Sequence, residues 1–173
     1  MMSNDAVCPG CGLLMPQKES LECNSYYNVS PECWELYTEV LAAEYSNAFL
    51  FGRIHQLTVD SYAVQHAGGK HPDKSVMIHL IGLHLAFVRG FQSFQIPAML
   101  QKIASAVHTW PHFEPLEEKV PITVFDVALS SNAEEHIEIV RKWAGLIWNA
   151  WSSVHLETAR FVSEQIDVSP LPS

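Results

Sequence analysis

Apolar residues recur at intervals of three and four along most of the chain, a pattern typical of amphipathic helices. A first helix is predicted to begin at Pro31, because Ser30 can cap it and proline suits the first helical position. Its predicted apolar stripe is Trp34, Tyr37, Leu41 and Tyr45. After a short turn at 46–47, a second helix is predicted to run as far as the glycine pair 68–69.

The middle of the chain continues this helical pattern. A third helix, starting near Pro72, is apolar nearly all round, so we expect it at the centre of the protein. A fourth, shorter helix is predicted to open at Pro97. The proline-rich segment 109–121 is predicted to be irregular, and a short helix is predicted after Thr123.

The last helix is predicted to start at Ser131–Asn132, where Glu134 and Glu135 complete a capping pattern. Its apolar stripe is Ile137, Val140, Ala144, Ile147, Trp151, Val154, Thr158 and Phe161. We therefore expect one helix of roughly 33 residues, about 50 Å long, that overhangs a bundle of shorter helices and favours a homodimer. No run alternates as a strand does, so the sequence predicts an all-α fold, an antiparallel helical bundle.

Composition places the chain among ordinary globular proteins. Its 173 residues are 48% hydrophobic and 17% charged, which suits one domain over 1–173. Residues 1–29 lack periodicity and are predicted to be a loop or knuckle segment, a leader docked on the bundle. The net charge of −9 argues against nucleic acid and anionic membranes as partners. We find no secretory signal, and the most apolar run, "SVMIHLIGLHLAFV", is too short to cross a bilayer. We therefore expect a cytoplasmic protein.

The motif "CPGCG" at 8–12 is the strongest chemical signal in the chain. It places the thiols of Cys8 and Cys11 on a tight turn, as in half of a zinc site, and a closed zinc site needs two more ligands. All four cysteines, Cys8, Cys11, Cys23 and Cys33, lie in the first fifth of the chain. In a reducing compartment such clustering favours metal binding over disulfides, and zinc is the predicted cofactor.

The other ligands are predicted by folding the helical hairpins antiparallel about their short turns. Cys33 then falls level with Tyr62, and His66 lies about one turn beyond. His79 falls level with 61–62 across the second turn. The predicted ligand set is Cys8, Cys11, Cys33 and His66, with His79 as the substitute and Cys23 and His71 in reserve.

Several other polar residues have two interpretations each. Cys33 is a thiolate at a helix N-terminus or a small buried residue, and His66 is a ligand or a helix cap. His55 and His84 are core histidines or face each other across two helices as a second metal layer. Asp60 is an exposed carboxylate or orients a histidine, and Glu44 is a candidate buried acid. His155 is a further site candidate beside the tryptophans Trp143, Trp148 and Trp151.

The chain resembles an uncharacterised, mainly bacterial family known only as a domain of unknown function. The resemblance covers most of the chain and rests on the CPGCG head, "CWELYTEVLAAEYS" at 33–46, "HQLTVDSYAVQH" at 55–66, "SVMIHLIGLHL" at 75–85 and "WAGLIWNAWSSVHLETAR" at 143–160. More loosely, a bundle with buried histidines resembles the DinB/YfiT-type metal-dependent bundles, some of which transfer thiols or hydrolyse small substrates.

These observations favour a zinc-binding bundle in which the metal is structural and staples the leader to the core. The first alternative is a hydrolase or thiol transferase in which three ligands leave an open zinc position for water or a substrate thiol. The second is a protein-binding module that uses the tryptophan-rich last helix. The chain carries no nucleophile elbow, phosphate loop or dinucleotide fingerprint, and the sequence names no small-molecule substrate.

Overall fold

Helices make up most of the protein, which is seen in a computed structural model that describes residues 4–165. The α-helices are α1 (Pro31–Tyr45), α2 (Ala48–Gln65), α3 (Asp73–Phe87), α4 (Ile96–Ala106), α5 (Val124–Ala128), α6 (Ala133–Ala150) and α7 (His155–Gln165). Short 3-10 turns precede α4 (Ser93–Gln95) and α7 (Ser152–Val154). The predicted helical class is confirmed. Within 4–165, none of the helices is long and apolar enough to span a membrane.

A small antiparallel hairpin near the N-terminus was not predicted. Strand β1 (Asp5–Val7) pairs with β2 (Leu14–Pro16), in the register Asp5 opposite Pro16 and Val7 opposite Leu14. The sequence pattern indicated a loop here, because three-residue strands are too short to show alternation. The hairpin matters for the site, since its connecting loop carries Cys8 and Cys11.

Helix α2 packs against α1, α3 and α6, and α1 also packs against α5. The larger core lies between these helices and includes Tyr62, Leu80, Trp143 and Ile147, all fully buried. A second, smaller core is formed by α3 with α4 and α7. Helix α3 contributes to both cores, as its nearly continuous apolar sequence predicts.

The inward face of α1 differs from the predicted stripe. The buried residues of this helix are Glu32, Cys33, Tyr37, Val40 and Glu44. Trp34 and Leu41 are only partly buried, and Tyr45 is 65% exposed. The stripe was misplaced because a buried glutamate and a buried cysteine occupy positions where the pattern seeks large apolar residues.

The predicted single last helix is wrong, because α6 ends at Ala150 and the chain turns before α7. The imidazole of His155 stacks on Trp148 at 3.7 Å and donates a hydrogen bond to the Trp148 carbonyl at 2.7 Å. This side chain stabilises the end of α6 without any proline or glycine. Helix α7 then packs Val162 into the second core. The homodimer, which rested on one overhanging helix, loses that argument and stays a prediction.

Candidate metal centre

Four side chains from separate parts of the chain converge at one end of the bundle. The sulfurs of Cys8, Cys11 and Cys33 and a ring nitrogen of His66 all lie within 4.8 Å of one another, and all four residues are buried. We call this group the Cys3His cluster. It contains the four residues of the preferred ligand set, brought together from the β1–β2 loop, the start of α1 and the end of α2.

The β1–β2 loop, residues 8–13, holds its two thiols by a tight backbone turn. The amide of Cys8 donates to the Leu13 carbonyl at 2.8 Å, and the amide of Gly12 donates to the Cys8 carbonyl at 2.8 Å. Gly12 has a positive φ of 79°, a conformation that favours glycine. This loop, which we call the knuckle, therefore has a fixed shape that turns both sulfurs inward.

Gly10 allows the knuckle to dock directly on the end of α2. A Cβ atom at this position would lie 2.4 Å from Cδ2 of His66 and 2.5 Å from the Asn28 carbonyl oxygen. Any larger residue would push the knuckle away from the histidine. The glycine in CPGCG is thus explained by close approach to the neighbouring imidazole.

Cys33 occupies the first turn of α1. Ser30 caps this helix, and its hydroxyl accepts a hydrogen bond from the Cys33 amide at 3.2 Å. The Cys33 sulfur lies 3.8 Å from the Cys11 sulfur, 3.5 Å from Nε2 of His66 and 3.5 Å from the Tyr62 hydroxyl. The cap therefore places this thiol against Cys11 of the knuckle and His66 at the end of α2.

His66 follows the last residue of α2 and presents one ring nitrogen to the sulfurs. Its Nδ1–H donates to the Tyr62 carbonyl at 2.7 Å, which leaves the lone pair of Nε2 directed at Cys33. Metal-binding histidines are commonly oriented in this way by a carbonyl on the second nitrogen. The tautomer suited to a metal ligand is thus set by the end of the helix itself.

Two separations within the cluster match those of ligands on a small tetrahedral ion. Two sulfurs on a tetrahedral zinc at about 2.3 Å lie about 3.8 Å apart, and a sulfur and an imidazole nitrogen lie about 3.5 Å apart. The measured values are 3.8 Å for Cys11 to Cys33 and 3.5 Å for Cys33 to His66. The cluster is therefore of a size that could hold a metal ion.

The three thiols cannot all ionise side by side without a cation. Hydrogen bonding to Cys11 and Cys33 lowers the pKa of the Cys8 thiol far below its ordinary value, despite burial. Hydrogen bonding to Cys11 and Cys8, together with burial, raises the pKa of the Cys33 thiol. One thiolate is thus favoured at the expense of its neighbours, and a divalent cation would relieve the repulsion among three.

Three tyrosine rings pack together beside the cluster, near α1 and α2. The Tyr37 and Tyr62 rings stack at 3.6 Å, and Tyr27 packs edge-on against Tyr62 at 5.8 Å. Burial raises the pKa of the Tyr62 phenol, which keeps its hydroxyl protonated beside the Cys33 sulfur. These rings pack around Tyr62, whose hydroxyl is the neutral hydrogen-bonding neighbour of the cluster.

His71, one of the reserve ligands, supports the site without joining it. Its Nδ1–H donates to the His66 carbonyl at 3.0 Å, and its Nε2 accepts from the Ser75 hydroxyl at 2.8 Å. Burial lowers the pKa of His71 to about 4, so this imidazole is neutral at pH 7. Both ring nitrogens are occupied, and the residue fixes the loop between α2 and α3.

Lys119 connects the knuckle to the irregular segment that precedes α5. Its ammonium donates to the carbonyls of Pro9 and Gly10, at 2.8 and 2.7 Å. These carbonyls belong to the two residues between Cys8 and Cys11, so the lysine holds the turn that spaces the thiols. The sequence offered no signal for this contact, because the partners are 109 and 110 positions apart.

We predict that Lys119→Met weakens zinc binding about tenfold, the lower end of what loss of an outer hydrogen-bonding partner costs. Methionine keeps an unbranched apolar chain and removes the ammonium that holds the knuckle. Competition of the purified protein against a zinc chelator gives the affinity. Lys102→Met, on the exposed side of α4, is the matched control and should bind zinc as tightly as wild type. Equal affinities for both variants would contradict the role of Lys119.

His79, the predicted substitute ligand, lies outside the cluster. Its Nδ1 donates to Oδ1 of Asp60 at 2.7 Å. The position of His79 along α2 was predicted well, but the face of α2 that it contacts was not. Residues two positions apart in a helix differ by about 200° around its axis, so Asp60 and Tyr62 lie on opposite sides of α2. Asp60 is fully buried, so its interpretation as an exposed carboxylate is wrong, and its pairing with a histidine is found.

The remaining candidates have other surroundings. Cys23 is exposed and lies outside the cluster. His55 binds Glu44, and His84 packs edge-on against Trp148, so the predicted face-to-face pair of His55 and His84 is not formed among the described residues. His155 stacks on Trp148 and caps α6, as described above.

A buried polar group around Glu44 was only half anticipated. Glu44 is fully buried, as proposed from its place in the apolar stripe, and it accepts hydrogen bonds from His55, Thr58 and His136. His136 was missed, because it lies 92 residues away on a helix that is not consecutive with α1. The one sequence signal that His136 is buried was its position near the start of α6, directly before the apolar Ile137.

Comparison with known proteins identifies a family for this chain but no activity. A family of unknown function, DUF5946, matches residues 6–152. The matched segment contains the whole Cys3His cluster and ends where α6 gives way to the turn before α7. No curated protein and no solved structure matches the chain.

Proposed function

The chain belongs to DUF5946, a family of unknown function, and from the site itself we propose that it is a zinc protein whose metal is structural. The observation that carries this proposal is the buried Cys3His cluster, with separations suited to tetrahedral zinc. Zinc accepts sulfur and imidazole ligands in this combination, and a thiolate-rich set suits a reducing compartment such as the cytoplasm.

Four protein ligands complete the coordination of a tetrahedral zinc. Cys8, Cys33 and His66 are fully buried and Cys11 is nearly so, which shields the cluster from solvent. A catalytic zinc normally has three protein ligands and one open position. The closed set therefore favours a structural metal over an open hydrolase or thiol-transferase centre.

The proposed role of the metal is to fasten the N-terminal hairpin to the helices. Two ligands come from the knuckle and two from helix ends that a short α1–α2 turn already brings together. The hairpin buries little apolar surface of its own, since Val7 and Leu14 are more than half exposed. Metal binding would supply the free energy that this segment does not gain by burial.

X-ray absorption at the zinc edge tests the ligand set. We predict about one zinc per chain, with three sulfurs at about 2.3 Å and one nitrogen at about 2.0 Å. His66→Ala should lower the affinity for zinc by more than the ~100-fold that loss of an outer partner can cost. His79→Ala is the matched control on α3, and it should retain one zinc per chain.

Three results would contradict the proposal. Wild-type protein purified without zinc, and unable to take it up, would remove the metal altogether. An oxygen in the zinc shell would favour an open, catalytic centre. Loss of zinc from His79→Ala with full retention by His66→Ala would show that the ligand set is misassigned.

A further inference from the structure

A second polar site lies deep in the bundle, away from the Cys3His cluster. Glu44, in the last turn of α1, accepts hydrogen bonds from Nδ1 of His55 at 2.7 Å, Nε2 of His136 at 2.8 Å and the Thr58 hydroxyl at 2.6 Å. His55 lies on α2 eleven residues before His66, about 16 Å away along the helix axis. The zinc staple therefore does not account for this group.

This group places a charged side chain in the core, where an apolar side chain would cost less free energy. Burial alone would raise the pKa of Glu44, but the hydrogen bonds from His136, His55 and Thr58 outweigh it and lower the pKa below its ordinary value. The carboxylate is thus ionised and fully buried. Well-packed apolar residues often stabilise a core at least as well as such a group, so stability alone does not explain it.

His136 connects this carboxylate to a serine. Because Glu44 can only accept, the Nε2–H of His136 is the donor to it, and Nδ1 carries the lone pair. Nδ1 faces Oγ of Ser130 at 3.4 Å. The Ser130 hydroxyl donates to the Val127 carbonyl at 2.7 Å, and rotation about its C–O bond would redirect the proton to His136.

A cavity of about 240 Å³ borders the serine and the histidine. Its wall is apolar at Val40, Leu50 and Val127 and polar at Ser130 and His136. The volume lies below the ~300–1,000 Å³ of pockets for drug-sized ligands. The start of α6 also borders the cavity.

We propose that Ser130, His136 and Glu44 form a nucleophile, base and acid that hydrolyse esters of short-chain acyl groups. The two ring nitrogens exchange roles relative to the serine protease arrangement, in which Nδ1 faces the acid and Nε2 the serine. Imidazole relays a proton equally in either sense, since it accepts at one nitrogen while the other keeps its hydrogen bond to the acid. Glu44 fixes the tautomer, and His55 and Thr58 position Glu44.

The reaction balances with water as the only co-reactant. The Ser130 oxygen attacks the ester carbonyl, and its proton passes to Nδ1 of His136. The proton then leaves with the alcohol as the C–O bond breaks, and the acyl group remains on Ser130. His136 next takes a proton from water, whose oxygen attacks the acyl carbon, and the proton returns to Ser130 as the carboxylic acid departs.

A fluorophosphonate probe tests the nucleophile on the zinc-loaded protein. The serine oxygen displaces fluoride from phosphorus, and peptide mapping by mass spectrometry finds the modified residue. We predict one adduct per chain, on Ser130, and none at this position in Ser130→Ala. His136→Gln keeps a donor for Glu44 but removes the base, so labelling should slow by about 100-fold or more.

Ser105→Ala is the matched control, because Ser105 is an exposed serine on α4, outside the residues that line the cavity, and its hydroxyl donates to the Gln101 carbonyl. It should be labelled at Ser130 as fast as wild type. Folded wild-type protein that stays unmodified at Ser130, or labelling of His136→Gln at the wild-type rate, would overturn the proposal. Zinc content is measured in parallel, so failure of the staple is recognised separately from failure of this site.

Discussion

Cys33→Ser is expected to abolish tight zinc binding and to remove the stabilisation that zinc gives to the fold. The Cys33 sulfur contacts Cys11 and His66, and it is fully buried. A ligand that binds only the folded chain stabilises it by about 2.7 kcal/mol at 100 times its Kd and by about 4.1 at 1,000 times. We therefore expect the variant to lose about 3–4 kcal/mol of unfolding free energy in zinc-containing buffer.

The measurement must separate the metal from the packing, because a buried serine hydroxyl without a partner costs about 1–3 kcal/mol by itself. Denaturant unfolding is therefore compared with saturating zinc and with a chelator. Wild type should lose stability on chelation, whereas Cys33→Ser should be insensitive to zinc. Cys23→Ser, at an exposed thiol, is the matched control and should respond to chelation as wild type does. A full response to zinc in Cys33→Ser would exclude Cys33 as a ligand.

The meeting of Cys33 with His66 could be predicted from sequence, because local signals fix both helix ends. Ser30 caps α1, Asn47 caps α2, and the turn between the helices is short. Antiparallel pairing then sets which residues share a level. Whether two residues at neighbouring helix ends meet depends more on their position along the helix axes than on the helix face they occupy. Antiparallel pairing was therefore enough to predict that Cys33 and His66 lie close together.

Contacts deeper in the bundle depend on rotation about helix axes and on helices that are not consecutive. Level alone placed His79 near 61–62, but its partner is Asp60, on the other side of α2 from Tyr62. The contact of Glu44 with His136 joins α1 to α6. No short turn links these helices, so the hydrophobic pattern cannot give their register. Tertiary packing decides both contacts.

The end of α6 shows a different limit. The apolar intervals of three and four continue through Trp151, Val154 and Phe161, which favours one helix. The chain breaks there because the His155 side chain satisfies the Trp148 carbonyl, and because α7 gains a second core against α3 and α4. The periodicity indicates which residues are buried, but it does not indicate whether they pack against the same neighbours. It therefore cannot distinguish one long helix from two helices that pack into different cores.

Gly82→Ala is expected to destabilise the protein by about 3 kcal/mol, the upper part of the range found when a core is overpacked. A Cβ atom at Gly82, in the middle of α3, would lie 2.1 Å from Oδ2 and 2.6 Å from Cγ of Asp60. The carboxylate cannot swing aside, because His79 and Gln56 hold it at 2.7 and 2.8 Å and it is fully buried. Chemical denaturation gives the free energy of unfolding.

Gly145→Ala is the matched control, because Gly145 lies within α6 and a Cβ there meets no described atom within 4 Å. It should stabilise the protein by up to ~1 kcal/mol, since alanine is the better helix former. If the clash with Asp60 causes the loss at Gly82, combining Gly82→Ala with Asp60→Ala should cost at least ~1 kcal/mol less than the sum of the single changes. If the loss of unfolding free energy in the double variant equals the sum of the two single losses, Gly82 does not act through Asp60. The loss of stability in Gly82→Ala would then have another cause.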